Sequence, residues 1–410
     1  MKNTAKVLSL IAMIASSMYS TTAAQSESYR VTLDETNHGS IKLDAPLPDD
    51  GLVSAGSLIT VSAIPDEGYT VDSIYYSVPG RWGAMFHESL VSDFAITIDQ
   101  DKNIGASFIK AGDVAHVDVK HNVVYGKPGK KELKYDVYSP KAARGLPIIV
   151  IIHGGGWSSN DEDIMRGLAR ELTKGGKFVV CSIDYRWIGK LDGDAEPNSM
   201  ANLIEDVFGA IAHIMEHATE YGGDSSRIGV TGDSAGGHLS AAASILVEKI
   251  GSNGFGEADG VFEFKPTYLP KGKTAEDVRR EMLASIKAAA PSYGVFAAES
   301  LSGFQRGLST AAAEATAPQS HIPAATDRAV PQYLLRGTND FLIRNEAVAA
   351  FADALKAKNQ IVIYEQVEGA GHAFFDWKPQ AQVKETFEKY GVPYAAKMSD
   401  FLEKHLSKDR

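Results

Sequence analysis

The segment GDSAG at residues 232–236 places Ser234 between two glycines, at a change in sequence pattern. Residues 227–231 form a short, apolar, β-branched run that is typical of a buried strand, whereas the residues from 238 onward are small and tolerate a helix. A serine in the pattern G-x-S-x-G at such a strand-to-helix turn exposes its hydroxyl beside the free N–H groups of the helix start. The pattern therefore predicts that Ser234 is a nucleophile.

A second glycine-rich segment, HGGGW at residues 153–157, directly follows the apolar run at residues 147–152. Because glycine has no Cβ, successive backbone N–H groups can approach a substrate carbonyl closely, as an oxyanion hole requires. The alternatives are an ordinary turn or a phosphate-binding loop. No Lys-Ser or Lys-Thr follows the glycines and the spacing G-x-G-x-x-G is absent, which disfavours nucleotide binding.

A serine hydroxyl needs a base, and the base needs an acid that orients it. His372, in GAGHAFFDW, follows the last predicted strand, and Asp340, in YLLRGTNDFL, lies at the end of the strand before it. In doubly wound sheets, active sites gather at these strand ends, and the chain order Ser-Asp-His is the expected one. We expect His238 and His153 to make local structural contacts.

Residues 112–410 contain the elements that must position these side chains. HVDVKHNVVYG and KELKYDVYSP predict a hairpin, whereas LPIIVIIH and KFVVCSID are continuous apolar runs typical of strands buried on both faces. Strands then alternate with predicted helices at 162–174, 200–217, 347–358 and 395–406. This alternation predicts an α/β fold with a mostly parallel, doubly wound sheet. Residues 248–286, rich in Gly, Lys and Glu, interrupt the rhythm and are predicted to be an insertion.

Residues 25–111 show a different pattern and are predicted to form a small all-β, sandwich-like module. Apolar residues alternate with period two at 29–33, 59–63, 74–78, 94–98 and 104–108, and turn signals such as PDDG and PDEG separate these runs. Five short strands without a helical stretch favour a sandwich. Trp82, Phe86 and His87 are placed in the longest loop, either as a sugar-stacking platform or, more simply, folded over the core.

The motifs together resemble the α/β-hydrolase superfamily, specifically its hormone-sensitive-lipase-like and feruloyl- or acetyl-esterase-like bacterial carboxylesterases. The matching phrases, in family order across residues 120–406, are YDVYSP, IIHGGGW, DYRW, DVFGAIAHI, SSRIGVTGDSAGGHLSA, LLRGTND and GAGHAFF. The resemblance implies that Ser234 is the nucleophile, His372 the base and Asp340 the acid. It further implies an oxyanion hole formed by the N–H groups of Gly155, Gly156 and Ala235. The acid loop GTNDFLIRNE departs from the D-P-L-x-D-E of lipase-like members and is closer to that of feruloyl- and acetyl-esterase or prolyl-peptidase-like relatives.

Composition and the N-terminus bear on partners and location. The formal net charge is -11 and no Lys/Arg cluster is present, so nucleic acid and an anionic membrane surface are disfavoured as partners. Residues 1–24 carry Lys2 and Lys6, a short apolar run and small residues up to Ala24, the layout of a secretory signal peptide. The single cysteine, Cys181, excludes an intramolecular disulfide. We therefore expect a secreted or periplasmic protein; no HExxH or Cys/His cluster suggests a metal, and no cofactor is expected.

The function predicted from these residues is a secreted serine carboxylesterase that acts through an acyl-enzyme on a small-molecule or polysaccharide-linked ester, with acetyl and feruloyl esters favoured by analogy. A serine peptidase of the same fold would share the triad. The third hypothesis is a non-catalytic carbohydrate-binding or adhesion protein with a degenerate hydrolase domain.

Aromatic residues near the predicted strand ends and in the 248–286 segment are candidates for the substrate pocket. The candidates are Trp157, Trp187, Phe262, Phe264 and Tyr268. The two tryptophans could equally belong to the core, and the three residues of the 248–286 segment could instead cap the sheet.

Overall fold

The computed structural model describes residues 27–80, 83–90 and 93–407. The predicted signal peptide and Trp82 lie outside these residues. Eight strands form in the N-terminal region: β1 (Ser28–Leu33), β2 (Gly39–Leu43), β3 (Leu52–Ser54), β4 (Leu58–Pro65), β5 (Tyr69–Gly80), β6 (Gly83–Ser89), β7 (Asp93–Thr97) and β8 (Lys102–Lys110).

These eight strands form two sheets that share one core, and we call them the β-module. One sheet has the order β3-β1-β8-β5-β6 and the other has the order β2-β4-β7. The core contains side chains from both sheets: Val31, Ile59, Val61, Ile74, Ile96, Ile98 and Ile104. The five predicted strands all form, and β2, β3 and β6 are additional. Phe86 and His87 belong to β6, which pairs with β5, so the prediction of a loop at these two residues is wrong.

The rest of the chain forms a third, larger sheet. Its strands are β9 (Val117–Gly126), β10 (Leu133–Pro140), β11 (Leu146–Ile152), β12 (Val179–Ile183), β13 (Gly223–Asp233), β14 (Ile286–Ser292), β15 (Gln332–Gly337) and β16 (Val362–Val367). The order is β16-β15-β14-β13-β11-β12-β10-β9. The predicted hairpin β9–β10 is antiparallel and stands at one edge, and the pairs from β12 to β16 are parallel.

Helices cover this sheet on both faces. Every residue of β12 is buried, and because successive side chains of a strand point to opposite faces, both faces must be covered. The helices are α1 (Ala111–Val114), α2 (Arg166–Thr173), α3 (Met200–His217), α4 (Ala235–Ile245), α5 (Ala275–Ser285), α6 (Ala298–Phe304), α7 (Thr310–Thr316), α8 (Asn345–Ala357), α9 (Ala381–Thr386) and α10 (Val392–Leu406). A 3-10 helix, Glu162–Met165, precedes α2, and a π-helical turn, Phe387–Gly391, joins α9 to α10.

The four predicted helices are present, with ends that shift by a few residues. The expected doubly wound α/β architecture is therefore confirmed. Within the predicted insertion, residues 250–264 form irregular bridges and α5 leads back into β14. Among the described residues, no helix combines the length and the apolar character that crossing a bilayer requires.

Candidate active site

Ser234 occupies a strained turn between β13 and α4. Its φ is 53°, in the left-handed region that a residue with a Cβ adopts only when its surroundings hold it there. The Ser234 N–H donates to the carbonyl of Ser292 at 3.0 Å, which anchors the turn to β14. A Cβ on Gly232 or Gly236 would lie 2.4 or 1.9 Å from the Ile152 carbonyl oxygen. Glycine at these two positions is thus what lets the turn pack against β11.

The structure brings Ser234, His372 and Asp340 together. His372 Nε2 lies 2.9 Å from Ser234 Oγ, and His372 Nδ1 lies 2.8 Å from Asp340 Oδ2. An ionised carboxylate can only accept, so Nδ1 carries the proton and Nε2 is left as an acceptor for the serine hydroxyl. The His372 side chain is 13% exposed. This is the geometry of a nucleophile, a base and an acid in hydrogen-bond reach.

Asp340 is held in an ionised, fixed orientation. Its Oδ1 accepts the N–H groups of Leu342 and Ile343, each at 2.9 Å, and its side chain is buried. Burial raises the pKa of Asp340, but the hydrogen bond and charge of His372 and the two N–H donors outweigh burial and lower the pKa below its usual value. The carboxylate therefore remains charged beside His372 Nδ1.

A tyrosine from another loop packs against the His372 ring. The ring of Tyr293, which follows β14, meets His372 edge-on at 4.9 Å between centroids. The Tyr293 hydroxyl accepts the N–H of Phe375 at 3.2 Å, so the tyrosine also contacts the backbone of the loop that carries His372, which we call the base loop. Sequence reasoning missed Tyr293, because two strands and three α-helices, from α6 to β16, separate it from His372 in the chain.

The predicted oxyanion glycines lie in a loop beside the serine turn. Gly155 and Gly156 have φ values of 117° and 62°, which a residue with a Cβ rarely adopts. The N–H of Gly154 donates to Asp233 Oδ1 at 2.7 Å, which ties this loop to the residue before Ser234. Across the described residues, no protein acceptor receives the N–H of Gly155, Gly156 or Ala235. These three donors are thus available to a ligand, and Ala235 is the first residue of α4.

Several polar residues support this loop, and their identity was only partly predictable. His153 is buried, its Nδ1 bonds the carbonyl of Gly154 at 2.6 Å, and its ring stacks on Tyr185. His153 Nε2 lies 3.3 Å from Asp184 Oδ1, which also accepts from Lys131. Burial raises the pKa of Asp184, but Lys131 and His153 lower it below its usual value. His153 therefore makes the local contact expected of it. Asp184 is the first residue of the phrase DYRW, but neither that phrase nor the sequence around Lys131 indicated this contact.

Of the two tryptophans predicted for a pocket, Trp157 lies in the interior. It is 2% exposed, and its indole N–H donates to Nδ1 of His238 at 3.2 Å. His238 Nε2 then donates to the Thr316 carbonyl at 2.9 Å, so both ring nitrogens of this buried histidine are used locally, as expected. Trp187 is only half-buried, and its indole N–H donates to the Asn160 carbonyl at 2.9 Å. Trp187 therefore remains beside the glycine loop, whereas Trp157 is a core residue.

The aromatic candidates from the 248–286 segment pack elsewhere. Phe264 is fully buried and meets Phe208 of α3 edge-on. The Tyr268 ring meets His213 of α3 edge-on, and Phe262 packs on Phe255 within its own loop. Phe264 and Tyr268 thus pack against α3 and Phe262 packs within its own loop, and a role for them in an acyl pocket stays a prediction.

One group of carboxylates within the described residues lies close enough to share a metal ion. The group comprises Asp136, Glu162 and Asp163, with ligand oxygens within 4.8 Å of one another. The ammonium of Lys134 already lies 3.0 Å from Glu162, and Asp136 accepts the N–H of Asn122 at 2.8 Å. A cation and donors from the chain thus already face two of the three carboxylates, and the triad chemistry needs no metal.

Two family models match successive parts of the chain. One, described as BD-FAE, matches residues 135–267. The other, described as the dienelactone hydrolase family, matches residues 272–405. The first match contains the glycine loop and Ser234, and the second contains Asp340 and His372. The β-module lies outside both matches.

Curated relatives and solved structures are similar to the same region. Carboxylesterase NlhH of Mycobacterium tuberculosis is 38% identical over 127 residues, which are 31% of this chain and 38% of that protein. A probable isoprenylcysteine alpha-carbonyl methylesterase, ICMEL1, of Arabidopsis thaliana is 27% identical over 263 residues, covering 60% of this chain and 50% of that protein. The chain thus spans half or less of the length of these two relatives.

Among solved structures, Thermogutta terrifontis esterase 2 phosphorylated by paraoxon aligns with a TM-score of 0.50 at 23% identity. The alignment covers 70% of this chain and 95% of that one. This likeness concerns the fold. Taken together, the sheet order, the serine on its strand-to-helix turn and the two family matches show that the chain has the α/β-hydrolase fold.

Proposed function

We propose that this protein is a carboxylic ester hydrolase with Ser234 as nucleophile. The observation that carries the proposal is the continuous hydrogen-bonded line from Ser234 Oγ through His372 to Asp340, with distances of 2.9 and 2.8 Å. The relatives named above, which are a carboxylesterase and a probable methylesterase, support ester hydrolysis over other uses of the fold.

The mechanism has two steps, acylation of Ser234 and hydrolysis of the acyl-enzyme. Ser234 Oγ attacks the ester carbonyl while its proton passes to His372 Nε2, and the carbonyl oxygen becomes an oxyanion facing the N–H groups of Gly155, Gly156 and Ala235. When the tetrahedral intermediate collapses, the C–O bond to the alcohol breaks and the alcohol leaves with the proton of His372. Water then attacks the acyl-enzyme in the same way, and releases the acid and free Ser234. Each oxyanion donor commonly contributes about 3 kcal/mol, roughly a hundredfold or more in rate.

The finer parts of the proposal concern substrate and location. We infer that acetyl or feruloyl esters linked to polysaccharides are the substrate class; the BD-FAE match over residues 135–267 and the form of the acid loop support this. The signal-peptide layout of residues 1–24 supports export to the periplasm or the medium.

A substrate panel tests the proposal. The panel contains p-nitrophenyl esters of increasing acyl length, acetylated and feruloylated sugars, and aminoacyl p-nitroanilides. We expect turnover of short aryl esters and of at least one sugar ester. Turnover of the anilides alone would instead identify a peptidase, and no turnover of any member would remove the esterase assignment.

A further inference from the structure

The β-module meets the hydrolase domain through a buried ionic cluster around Asp72 of β5. The Asp72 side chain is fully buried. Arg170 Nη1 lies 2.7 Å from its Oδ1, and Arg166 and Lys384 also pair with it. Burial raises the pKa of Asp72, but Arg166, Arg170 and Lys384 together lower it well below its usual value. A charged carboxylate of the module is thus enclosed by cations of the other domain.

The same carboxylate reaches the loop of the catalytic base. The indole N–H of Trp377 donates to Asp72 Oδ2 at 2.9 Å, and Trp377 stands five positions after His372 in the sequence. Between them, Phe374 and Phe375 are fully buried. The short segment from His372 to Trp377 is therefore held at its far end by a residue of the β-module.

A second connection runs from the cluster to the segment that follows the oxyanion glycines. Arg166 Nη1 donates to the carbonyl of Asp163 at 2.9 Å, and the N–H of Trp377 donates to the carbonyl of Ile164 at 3.0 Å. Asp163 and Ile164 belong to the 3-10 helix that follows the glycine loop. The cluster thus braces the base loop and the glycine-loop segment against each other.

We propose that Asp72 is a positioning residue for the catalytic centre, acting through Trp377 on the loop that carries His372. On this proposal the β-module helps to hold the catalytic residues in place. This inference rests on the proposed function, because it concerns the same triad. Displacing a base by a fraction of an ångström lowers the rate without preventing substrate binding, so the effect should appear in kcat.

The variant Trp377→Phe removes the bond to Asp72 and leaves most of the packing. The Trp377 ring meets Phe387 edge-on at 5.3 Å, and a Cβ on Gly167 would lie 2.9 Å from the Trp377 ring. Phenylalanine keeps an aromatic ring in this space. The matched control is Tyr75→Phe. It also removes an aromatic donor from an aspartate, since the Tyr75 hydroxyl donates to Asp34 at 2.9 Å, but this pair lies within the module.

We expect Trp377→Phe to lower kcat for p-nitrophenyl acetate roughly tenfold with KM changed less than about twofold, and to shift the acidic limb of the kcat–pH profile. Tyr75→Phe should leave both at wild-type values. Asp72→Asn should lower kcat as well, and the loss of kcat in the double variant should be smaller than the product of the two single losses, because the two residues share the Trp377–Asp72 hydrogen bond. If Trp377→Phe does not fold, Asp72→Asn carries the test.

A second readout separates this inference from the esterase assignment. The rate at which paraoxon phosphorylates Ser234 reports the reactivity of the serine–histidine pair without any ester substrate. We expect Trp377→Phe to slow phosphorylation by a similar factor. Wild-type kcat, pH profile and phosphorylation rate in folded Trp377→Phe would overturn the inference. If the wild-type protein is phosphorylated but hydrolyses no ester, the proposed function fails while the positioning role is still measured.

Discussion

Replacing Asp340 by Asn should move the imidazole proton of His372 from Nδ1 to Nε2. Asp340 Oδ1 accepts the N–H groups of Leu342 and Ile343, so the amide oxygen of an asparagine must take that position. Its NH2 group then faces His372 Nδ1, where Oδ2 now accepts at 2.8 Å. Because two donors cannot face each other, the imidazole proton moves to Nε2, and Nε2 can no longer take the proton of Ser234.

The size of the effect follows from the loss of the base in its working tautomer. Such an exchange typically lowers kcat about 10⁴-fold, which corresponds to about 5 kcal/mol of activation free energy. The fold should be affected much less, because the two backbone hydrogen bonds to the carboxyl position are retained. The lost charge-assisted bond to His372 should cost about 2 kcal/mol of the free energy of unfolding.

Initial rates with p-nitrophenyl acetate, together with urea unfolding followed by circular dichroism, measure both quantities. The matched control is Asp353→Asn on α8, where the carboxylate is exposed and pairs with Lys356; its kcat should equal that of the wild type. A folded Asp340→Asn variant with a kcat within tenfold of the wild-type value would refute the role assigned to Asp340.

Two further predictions concern the glycine loop and its support. Gly155→Ala would place a Cβ 2.2 Å from the Ser159 carbonyl at a φ of 117°, so kcat should fall at least a hundredfold; a near-normal rate for the folded variant would contradict an oxyanion role for this loop. Burial lowers the pKa of His238 from 6.5 to about 4. The unfolded chain therefore takes up this proton first as the pH falls, and the wild type should lose about 3 kcal/mol relative to His238→Gln between pH 7 and pH 4. The free energy of unfolding of both proteins is measured at several pH values. If it falls equally in the two proteins between pH 7 and pH 4, His238 is not a buried neutral histidine with a lowered pKa.

Sequence reasoning could predict those parts of the site that depend on residues close together in the chain. The turn around Ser234 needs glycines at fixed offsets, because any Cβ there would strike the Ile152 carbonyl, and that demand is visible as G-x-S-x-G. Asp340 and His372 each follow a strand that ends at the same sheet edge, so strand order alone brings them near the serine.

What could not be predicted depends on contacts between distant residues. Trp157 could be a pocket wall or a core residue on sequence grounds, and the indole N–H bond to His238, more than 80 residues away, decides for the core. The hydrogen bond between Asp72 and Trp377 joins residues more than 300 positions apart. Neither residue lies in a sequence motif that predicts this contact. Phe86 lies on a strand because β6 finds a partner in β5, whereas its own sequence, GAMFHES, alternates only weakly.

The covalent step at Ser234 is the most direct test of the account. Wild-type protein and Ser234→Ala are each exposed to paraoxon, and digests are mapped by mass spectrometry while p-nitrophenyl acetate turnover is followed in parallel. We expect one added diethylphosphoryl group on the peptide containing Ser234, loss of turnover in the same proportion, and neither modification nor turnover in Ser234→Ala with an unchanged melting temperature. Turnover by Ser234→Ala, or modification of another residue with loss of activity, would contradict the assignment of the nucleophile.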